Sequence, residues 1–255
     1  MLFVIDVGNT NTVYGIYDGD TLLGTWRMTT QHSTTSDEIG LFFLKILEYE
    51  KIDPEKITAT IISSVVPQVM YSLEHAIRKY LGHRPIVVDS NVDFGIRIKM
   101  PNPAEVGADR LVNAAAAHHL YSTGVIIIDF GTATTFCAVS SAGEYLGGVI
   151  SPGVKISMEA LYTNTAKLPR IEITRPEHII GNGTVPAMQS GVLFSYVGGV
   201  EYIVRGMKKE MGESVKVIAT GGLARMIARE TDVIDEVNPL LTLEGLRYLY
   251  HKITE

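Results

Sequence analysis

Near the N-terminus, the pattern of apolar and polar positions predicts three consecutive β-strands over residues 2–7, 12–17 and 22–28, the first of which is apolar except for Asp6. The Asp18-Gly19-Asp20 sequence between the last two strands is typical of a hairpin turn. An amphipathic helix over residues 37–51 comes next, with Ser36 as its expected N-cap. A strand, a helix and a short strand then follow over residues 58–66, 67–81 and 86–89. This alternation is that of an α/β domain.

The second half of the chain repeats the three-strand pattern, with strands predicted over residues 125–129, 134–140 and 144–150. A shift of 123 positions places Asp6 on Asp129, Gly8 on Gly131 and Gly24 on Gly147. Two apolar strands that were similar by chance would not both end in an Asp-x-Gly turn. We therefore interpret the pattern as an internal duplication of a β-β-β unit.

The other predicted elements are mostly helical. An alanine-rich helix over residues 104–121 lies between the repeats, and further helices cover residues 154–162, 184–211 and 241–252. A strand over residues 215–219 precedes Thr220-Gly221-Gly222 and a helix, and residues 233–234 form a short strand.

The composition is that of an ordinary soluble globular protein and disfavours several functions. The net charge is -6 and no basic run exceeds Lys208-Lys209, which argues against nucleic-acid binding. Because Cys137 is the single cysteine, no intrachain disulfide is possible, which fits the cytoplasm. The sequence contains neither an apolar stretch of about 20 residues nor a signal-peptide pattern, so no association with a membrane is expected.

Two loops carry the strongest chemical signal, and each follows the first strand of a repeat. Residues 6–12 read Asp-Val-Gly-Asn-Thr-Asn-Thr, and residues 129–135 read Asp-Phe-Gly-Thr-Ala-Thr-Thr. Glycine permits positive φ and close approach of the backbone to an anion, while Asn and Thr add uncharged donors. One such loop alone would be read as an Asx turn. Two copies in equivalent places indicate phosphate loops that face each other across a cleft and suit a polyphosphate with Mg²⁺.

This loop pair resembles those of the acetate kinase, sugar kinase, heat-shock chaperone and actin superfamily. The resemblance implies an α/β fold of two ribonuclease-H-like (actin-like ATPase) domains with a central nucleotide cleft. It also implies an adenosine motif after a strand of the second domain, which residues 219–222 fit. The first domain is then expected over residues 1–115, with phosphate loop 6–12. The second is expected over residues 116–255, with phosphate loop 129–135.

Segments along nearly the whole chain resemble the type III pantothenate kinase family. Besides the two loops, they are Trp26-Arg27 followed by Thr29, Ser36-Asp37-Glu38, Ser63-Ser64-Val65-Val66-Pro67, Asn102 to Arg110, Gly147-Gly148 and Pro152-Gly153. The resemblance implies phosphorylation of pantothenate to 4'-phosphopantothenate with ATP and Mg²⁺, the first step of coenzyme A biosynthesis. It further implies a requirement for a monovalent cation, K⁺ or NH₄⁺, and a homodimer with its active site near the interface.

The same resemblance assigns roles to individual residues. Asp109 is expected to be the general base, and Arg110, which points about 100° away on the same helix, to hold the substrate carboxylate. The residues expected to bind substrate are Met100, Gly107, Ala108, Asp109, Arg110 and Thr184. Those expected to bind ATP are Asp6, Val7, Gly8, Asn9, Thr10, Asn11, Thr12, Val13, Gly131, Thr132, Gly221 and Gly222. Asp6 is placed near the Mg²⁺-bound phosphates, and Asp129 is placed as a ligand of the monovalent cation.

Some alternatives stay open at this point. Met100 stands where many members of the family have a substrate-contacting Tyr, and Thr184 also fits an ordinary helix N-cap. Two other functions are compatible with the fold: an ATP-driven switch like actin or a chaperone, and a non-catalytic regulatory accessory protein. The Gly-Ala-Asp-Arg segment disfavours the switch. The acidic charge and the lack of a DNA-binding motif disfavour direct contact with DNA.

Overall fold

The computed structural model describes residues 1–89 and 91–254, which contain the following elements. The strands are β1 (Leu2–Val7), β2 (Asn11–Asp18), β3 (Thr21–Thr29), β4 (Ala59–Ser64), β5 (Ile86–Val87), β6 (Arg97–Ile98), β7 (Gly124–Phe130), β8 (Ala133–Val139), β9 (Glu144–Pro152), β10 (Val215–Gly221) and β11 (Glu236–Val237). The α-helices are α1 (Ser36–Glu50), α2 (Pro67–Leu81), α3 (Ala108–Tyr121), α4 (Val154–Thr163), α5 (Thr184–Met211), α6 (Ala224–Ala228) and α7 (Leu241–Thr254). Two short 3₁₀ turns, Pro54–Lys56 and Pro103–Glu105, precede β4 and α3.

The first sheet has the strand order β3-β2-β1-β4-β5. Strands β1 to β3 are antiparallel, whereas β4 and β5 run parallel to β1. Strand β1 is nearly all apolar because both faces of the sheet are covered. Helices α1 and α2 contribute to the hydrophobic cluster on one face, and α7 packs against β1, β2 and β4.

The second sheet repeats this plan with the order β11-β10-β7-β8-β9-β6. Its strands β9-β8-β7-β10-β11 correspond to β3-β2-β1-β4-β5, and β6 is added at the edge beside β9. The two hairpins also share a bulge at equivalent places, between Ile16 and Tyr17 and between Ala138 and Val139. The duplication therefore covers five strands rather than the three that the sequence predicted, and the predicted duplicated α/β fold is confirmed.

The chain forms two compact units, and each unit is built from separate segments of the sequence. One unit contains Met1–Gly95, Asn102–Ala116 and the C-terminal residues from Leu241, and the other contains Ile96–Pro101 and Ala117–Leu240. This grouping differs from a single division at residue 115. Strand β6 joins the second sheet through backbone pairing with β9. Helix α7 buries its apolar side on the first sheet, and its Thr242 Oγ1 donates a 2.8 Å hydrogen bond to Asn113 Oδ1 on α3.

Several local predictions need correction. The N-cap of α1 is Thr35 rather than Ser36, because Thr35 and Glu38 form a reciprocal capping box. Helix α3 begins at Ala108 rather than at residue 104, since Val106 is extended after the 3₁₀ turn. The short strand predicted at residues 233–234 lies instead at Glu236–Val237. Among the described residues, no helix is both long and apolar enough to cross a bilayer.

Gly40 on α1 leads to a stability prediction, because an added Cβ would lie 2.0 Å from the Tyr80 ring on α2. We expect Gly40→Ala to lower the free energy of unfolding by about 2 kcal/mol, since the ring must be displaced from a packed interface. Gly198→Ala is the matched control, as nothing lies within 4 Å of its added Cβ on α5. It should be neutral or stabilising by up to about 1 kcal/mol. Urea unfolding of both variants measures this, and equal effects would contradict the packing argument.

Candidate active site

The first phosphate loop is a tight connection from β1 to β2 that is held from outside the hairpin. The Gly8 N–H donates to the Asn11 carbonyl oxygen at 3.1 Å. Thr30, just after β3, donates its hydroxyl to the Gly8 carbonyl at 2.7 Å and its N–H to the Thr10 carbonyl at 2.9 Å. Its hydroxyl also lies 3.0 Å from Thr12 Oγ1. Thr30 was not among the predicted site residues, because its only local signal is its place directly after the third strand.

Asp6 lies at the carboxyl end of β1, beside the parallel strand β4. It is in register with Ser63, whose hydroxyl donates to Asp6 Oδ1 at 3.0 Å. Open α/β sheets bind ligands at the carboxyl ends of their parallel strands. The carboxylate is therefore held at the carboxyl end of the central strand, where a ligand is expected.

The glycines of the two phosphate loops lie against backbone oxygens and do not adopt positive φ. Neither Gly8 nor Gly131 is among the glycines with positive φ, so that part of the expectation is wrong. An added Cβ would lie 3.0 Å from the Asn11 carbonyl oxygen at Gly8 and 3.3 Å from the Ala133 carbonyl oxygen at Gly131. A side chain at either position would be crowded, and the facing oxygen would have to shift by a few tenths of an ångström.

The second phosphate loop connects β7 to β8 and is one residue shorter than the first. Its closing pair is Phe130 and Thr134, where the first loop closes with Val7 and Thr12. At the end of β9, the Gly153 N–H donates to the Thr132 carbonyl oxygen at 3.1 Å. An added Cβ at Gly153 would lie 2.2 Å from that same oxygen. The loop is therefore packed directly against the corner between β9 and α4.

The glycine pair at the end of β10 lies next to Asp129. Thr220 is in register with Asp129, as Ser63 is with Asp6 in the first sheet. Gly221 has φ +90, and an added Cβ would lie 2.6 Å from Asp129 Oδ1 and 2.7 Å from the Phe130 backbone nitrogen. The second unit thus brings Asp129, the loop that follows it and the predicted adenosine motif to one end of its sheet.

Asp109 lies in the first turn of α3 and is partly buried. Its Oδ1 accepts the Arg110 N–H at 2.8 Å. Burial raises the pKa of Asp109, against the opposing effects of that hydrogen bond and of the Arg110 charge. An added Cβ at Gly107 would lie 2.6 Å from Asp109 Oδ1, so this glycine leaves room for the carboxylate. A raised pKa brings a carboxylate closer to the basicity that a general base needs.

The other two predicted substrate residues belong to the second unit. Met100 follows β6, with its Sδ 3.1 Å from the position of an added Cβ on Gly147, which has φ +114. Thr184 is the first residue of α5 rather than its N-cap, since the N-cap is Gly183 and no side chain caps the helix. Thr184 lines a largely apolar cavity of about 540 Å³ between α4 and α5.

A duplicated sheet with an Asp-containing loop after the first strand of each copy defines the actin-like α/β fold of two ribonuclease-H-like domains. The chain belongs to the type III pantothenate kinase family, whose sequence model matches residues 2–206. The family that the sequence motifs indicated is thereby confirmed.

Solved structures share this fold over nearly the whole chain. A conserved protein of the Baf transcriptional activator family from Campylobacter jejuni is 16% identical, with a TM-score of 0.62 over 99% of this chain and 98% of that one. The ROK hexokinase from Thermus thermophilus is 12% identical, with a TM-score of 0.54 over 99% of each chain. The ethanolamine utilization protein EutJ from Carboxydothermus hydrogenoformans is 15% identical, with a TM-score of 0.53 over 96% of this chain and 88% of that one. These similarities show the fold alone.

Proposed function

We propose that this chain transfers a phosphoryl group from ATP to pantothenate and forms 4'-phosphopantothenate, the first step of coenzyme A synthesis. The observation that carries the proposal is Asp109. It is a partly buried carboxylate of raised pKa at the start of α3, within a Gly-Ala-Asp-Arg segment of a chain from this kinase family. Membership of the family supports pantothenate as the acceptor.

In this proposal, each unit acts as one nucleotide-binding domain and supplies one phosphate loop. The first unit contributes Asp6 to Val13, and the second contributes Gly131, Thr132 and the Gly221-Gly222 motif. The loop backbones support this assignment, because Thr30 and Gly153 hold them in place with hydrogen bonds of 2.7 Å and 3.1 Å. Fixed backbone N–H groups bind phosphate oxygens without having to reorganise.

The residues fit a magnesium ion that is held mainly through phosphates. Mg²⁺ in kinases is bound by one or two carboxylates together with substrate phosphates and water. Within residues 1–89 and 91–254, no three His, Cys, Asp or Glu side chains cluster as a metal site. Asp6, oriented by Ser63, would hold the ion on the first loop, and Asp129 would hold a monovalent cation on the second. When bound, Mg²⁺ would neutralise part of the phosphate charge.

The proposed chemistry requires one proton transfer by the protein. Asp109 would accept the proton of the pantothenate hydroxyl while the new O–P bond forms and the bond to the departing ADP oxygen breaks. Arg110 would bind the carboxylate of pantothenate, for which the planar guanidinium is suited. Gly107 and Ala108 would contact the substrate near this base, and Met100 and Thr184 would make further contacts with it.

We propose a cytoplasmic homodimer with its active site near the interface.

A phosphoryl-transfer assay tests the function. Purified protein with Mg·ATP and pantothenate, in the presence of K⁺, should form one ADP for each phosphopantothenate, and omitting K⁺ should slow the reaction. Glucose is the control acceptor, because sugar kinases share the fold. Equal release of ADP with and without pantothenate would identify an ATPase instead, and a product with glucose alone would identify a sugar kinase.

A further inference from the structure

Tyr196 connects α5 to the second phosphate loop. Tyr196 lines the cavity between α4 and α5, and its ring centroid lies 6.3 Å from that of Phe130 at the end of β7. Its hydroxyl donates a hydrogen bond to Thr134 Oγ1 and lies 3.4 Å from the Pro152 carbonyl oxygen. The phenol thus contacts all three strands that surround the loop.

Thr134 is the residue through which this contact reaches the loop. It forms the closing pair with Phe130 and directly follows the connection that carries Gly131 and Thr132. Its side chain is fully buried, so it does not itself contact a ligand. A buried hydroxyl that loses its partner carries a desolvation cost, which favours a shift of the residue toward another partner. Movement of Thr134 would displace the neighbouring loop backbone.

The residue that follows Pro152 also holds the loop. Gly153 donates its N–H to the Thr132 carbonyl oxygen, and its lack of a side chain allows this close approach. The loop is therefore held from two sides, by Gly153 at Thr132 and by Tyr196 at Thr134. Burial raises the pKa of Tyr196, so the phenol stays protonated and able to donate across the neutral range.

We propose that Tyr196 is a positioning residue that holds the second phosphate loop in its ATP-binding conformation through Thr134. The inference rests on the proposed function only in that residues 129–135 bind phosphate. It does not depend on which acceptor is phosphorylated.

Tyr196→Phe tests the inference because it keeps the ring and removes the hydroxyl. Loss of one hydrogen bond of ordinary strength corresponds to roughly a two- to tenfold change, so we expect the Kd for Mg·ATP to rise about fivefold. Isothermal titration calorimetry without pantothenate measures this Kd. The matched control is Tyr202→Phe on the same helix, where the side chain is 81% exposed, and it should leave the Kd unchanged within about twofold.

A double-mutant cycle with Thr134→Val separates positioning from general stability. If Tyr196 acts through Thr134, each single variant should weaken ATP binding about fivefold and the double variant no more than either one. Multiplied losses in the double variant would overturn the proposal. A lower melting temperature with an unchanged Kd would also overturn it. A wild-type chain that binds Mg·ATP but does not phosphorylate pantothenate would disprove the proposed function and leave this result intact.

Discussion

Replacing Asp109 with Asn is expected to lower kcat for pantothenate phosphorylation by about 10²–10⁴-fold, the usual contribution of a general base. The amide has nearly the same shape but cannot accept the hydroxyl proton. The Kd for Mg·ATP should stay within about twofold, because the loops proposed to bind the nucleotide are unchanged. Asp93→Asn is the control, since Asp93 pairs with Lys252 at 3.0 Å and has no proposed role in catalysis. Full activity of Asp109→Asn would remove the base assignment.

Asp109→Asn and its control Asp93→Asn are also expected to change the pH dependence of the free energy of unfolding in opposite directions. Because the folded-state pKa of Asp109 is raised above the ordinary 3.8, its ionised form costs stability. That cost appears as the pH rises from about 4 through the raised pKa, so Asp109→Asn should gain stability relative to the wild type over this range. The pKa of Asp93 is lowered by the Gly95 N–H and by Lys252, so its contribution is lost on acidification. Chemical unfolding between pH 3 and pH 8 distinguishes the two signs.

Gly221→Ala is expected to have the second large effect, on both folding and nucleotide binding. The substitution strains the backbone at φ +90 and places a Cβ 2.6 Å from Asp129 Oδ1 and 2.7 Å from the Phe130 backbone. We expect the free energy of unfolding to fall by roughly 3 kcal/mol, from overpacking and strain together. The added Cβ would displace Asp129 and Phe130 at the end of β7, and the second phosphate loop directly follows them. The Kd for Mg·ATP should therefore rise about tenfold or more.

Gly212→Ala is the matched control, because it measures the cost of placing a residue with a Cβ in the left-handed backbone conformation without a steric clash. Gly212 ends α5 at φ +64, and nothing lies within 4 Å of an added Cβ. This variant should cost about 1 kcal/mol for the left-handed conformation alone and leave ATP affinity unchanged. Calorimetric unfolding and ATP titration of both variants measure the difference. Equal losses in the two variants would show that the contact with Asp129 and Phe130 contributes nothing.

The strands and long helices could be predicted because their signals are local. Strand β1 and helix α5 lie where the apolar pattern placed them, over Leu2–Val7 and Thr184–Met211. Errors arose where two local signals competed. Thr35 and Ser36 are both good capping residues, and only the reciprocal bonds with Glu38 decide between them.

The adenosine motif at Gly221-Gly222 lies beyond the matched residues 2–206, so its role stays a prediction.

The residues of the candidate site were predicted from the sequence. The contacts that hold these residues in place were not. Thr30 and Tyr196 have no distinctive sequence pattern, since each acts on a phosphate loop from an element distant in the chain. Thr30 reaches Gly8 across the hairpin, and Tyr196 reaches Thr134 from a helix 62 positions away. Such pairs depend on strand register and helix packing, which no window of neighbouring residues contains.

The sequence alone determined that this chain is a duplicated α/β kinase with an Asp-x-Gly loop in each repeat, and its motifs determined the family. These are properties of residue order, because hydrophobic period, turn chemistry and motif spacing are all local. Only the tertiary structure showed that the duplication spans five strands and that α7 returns to the first sheet. It also showed that Gly8 and Gly131 lie against backbone oxygens without adopting positive φ, and that Asp109 has a raised pKa. Packing distance and desolvation arise between residues far apart in sequence, so they exist only once the chain is folded.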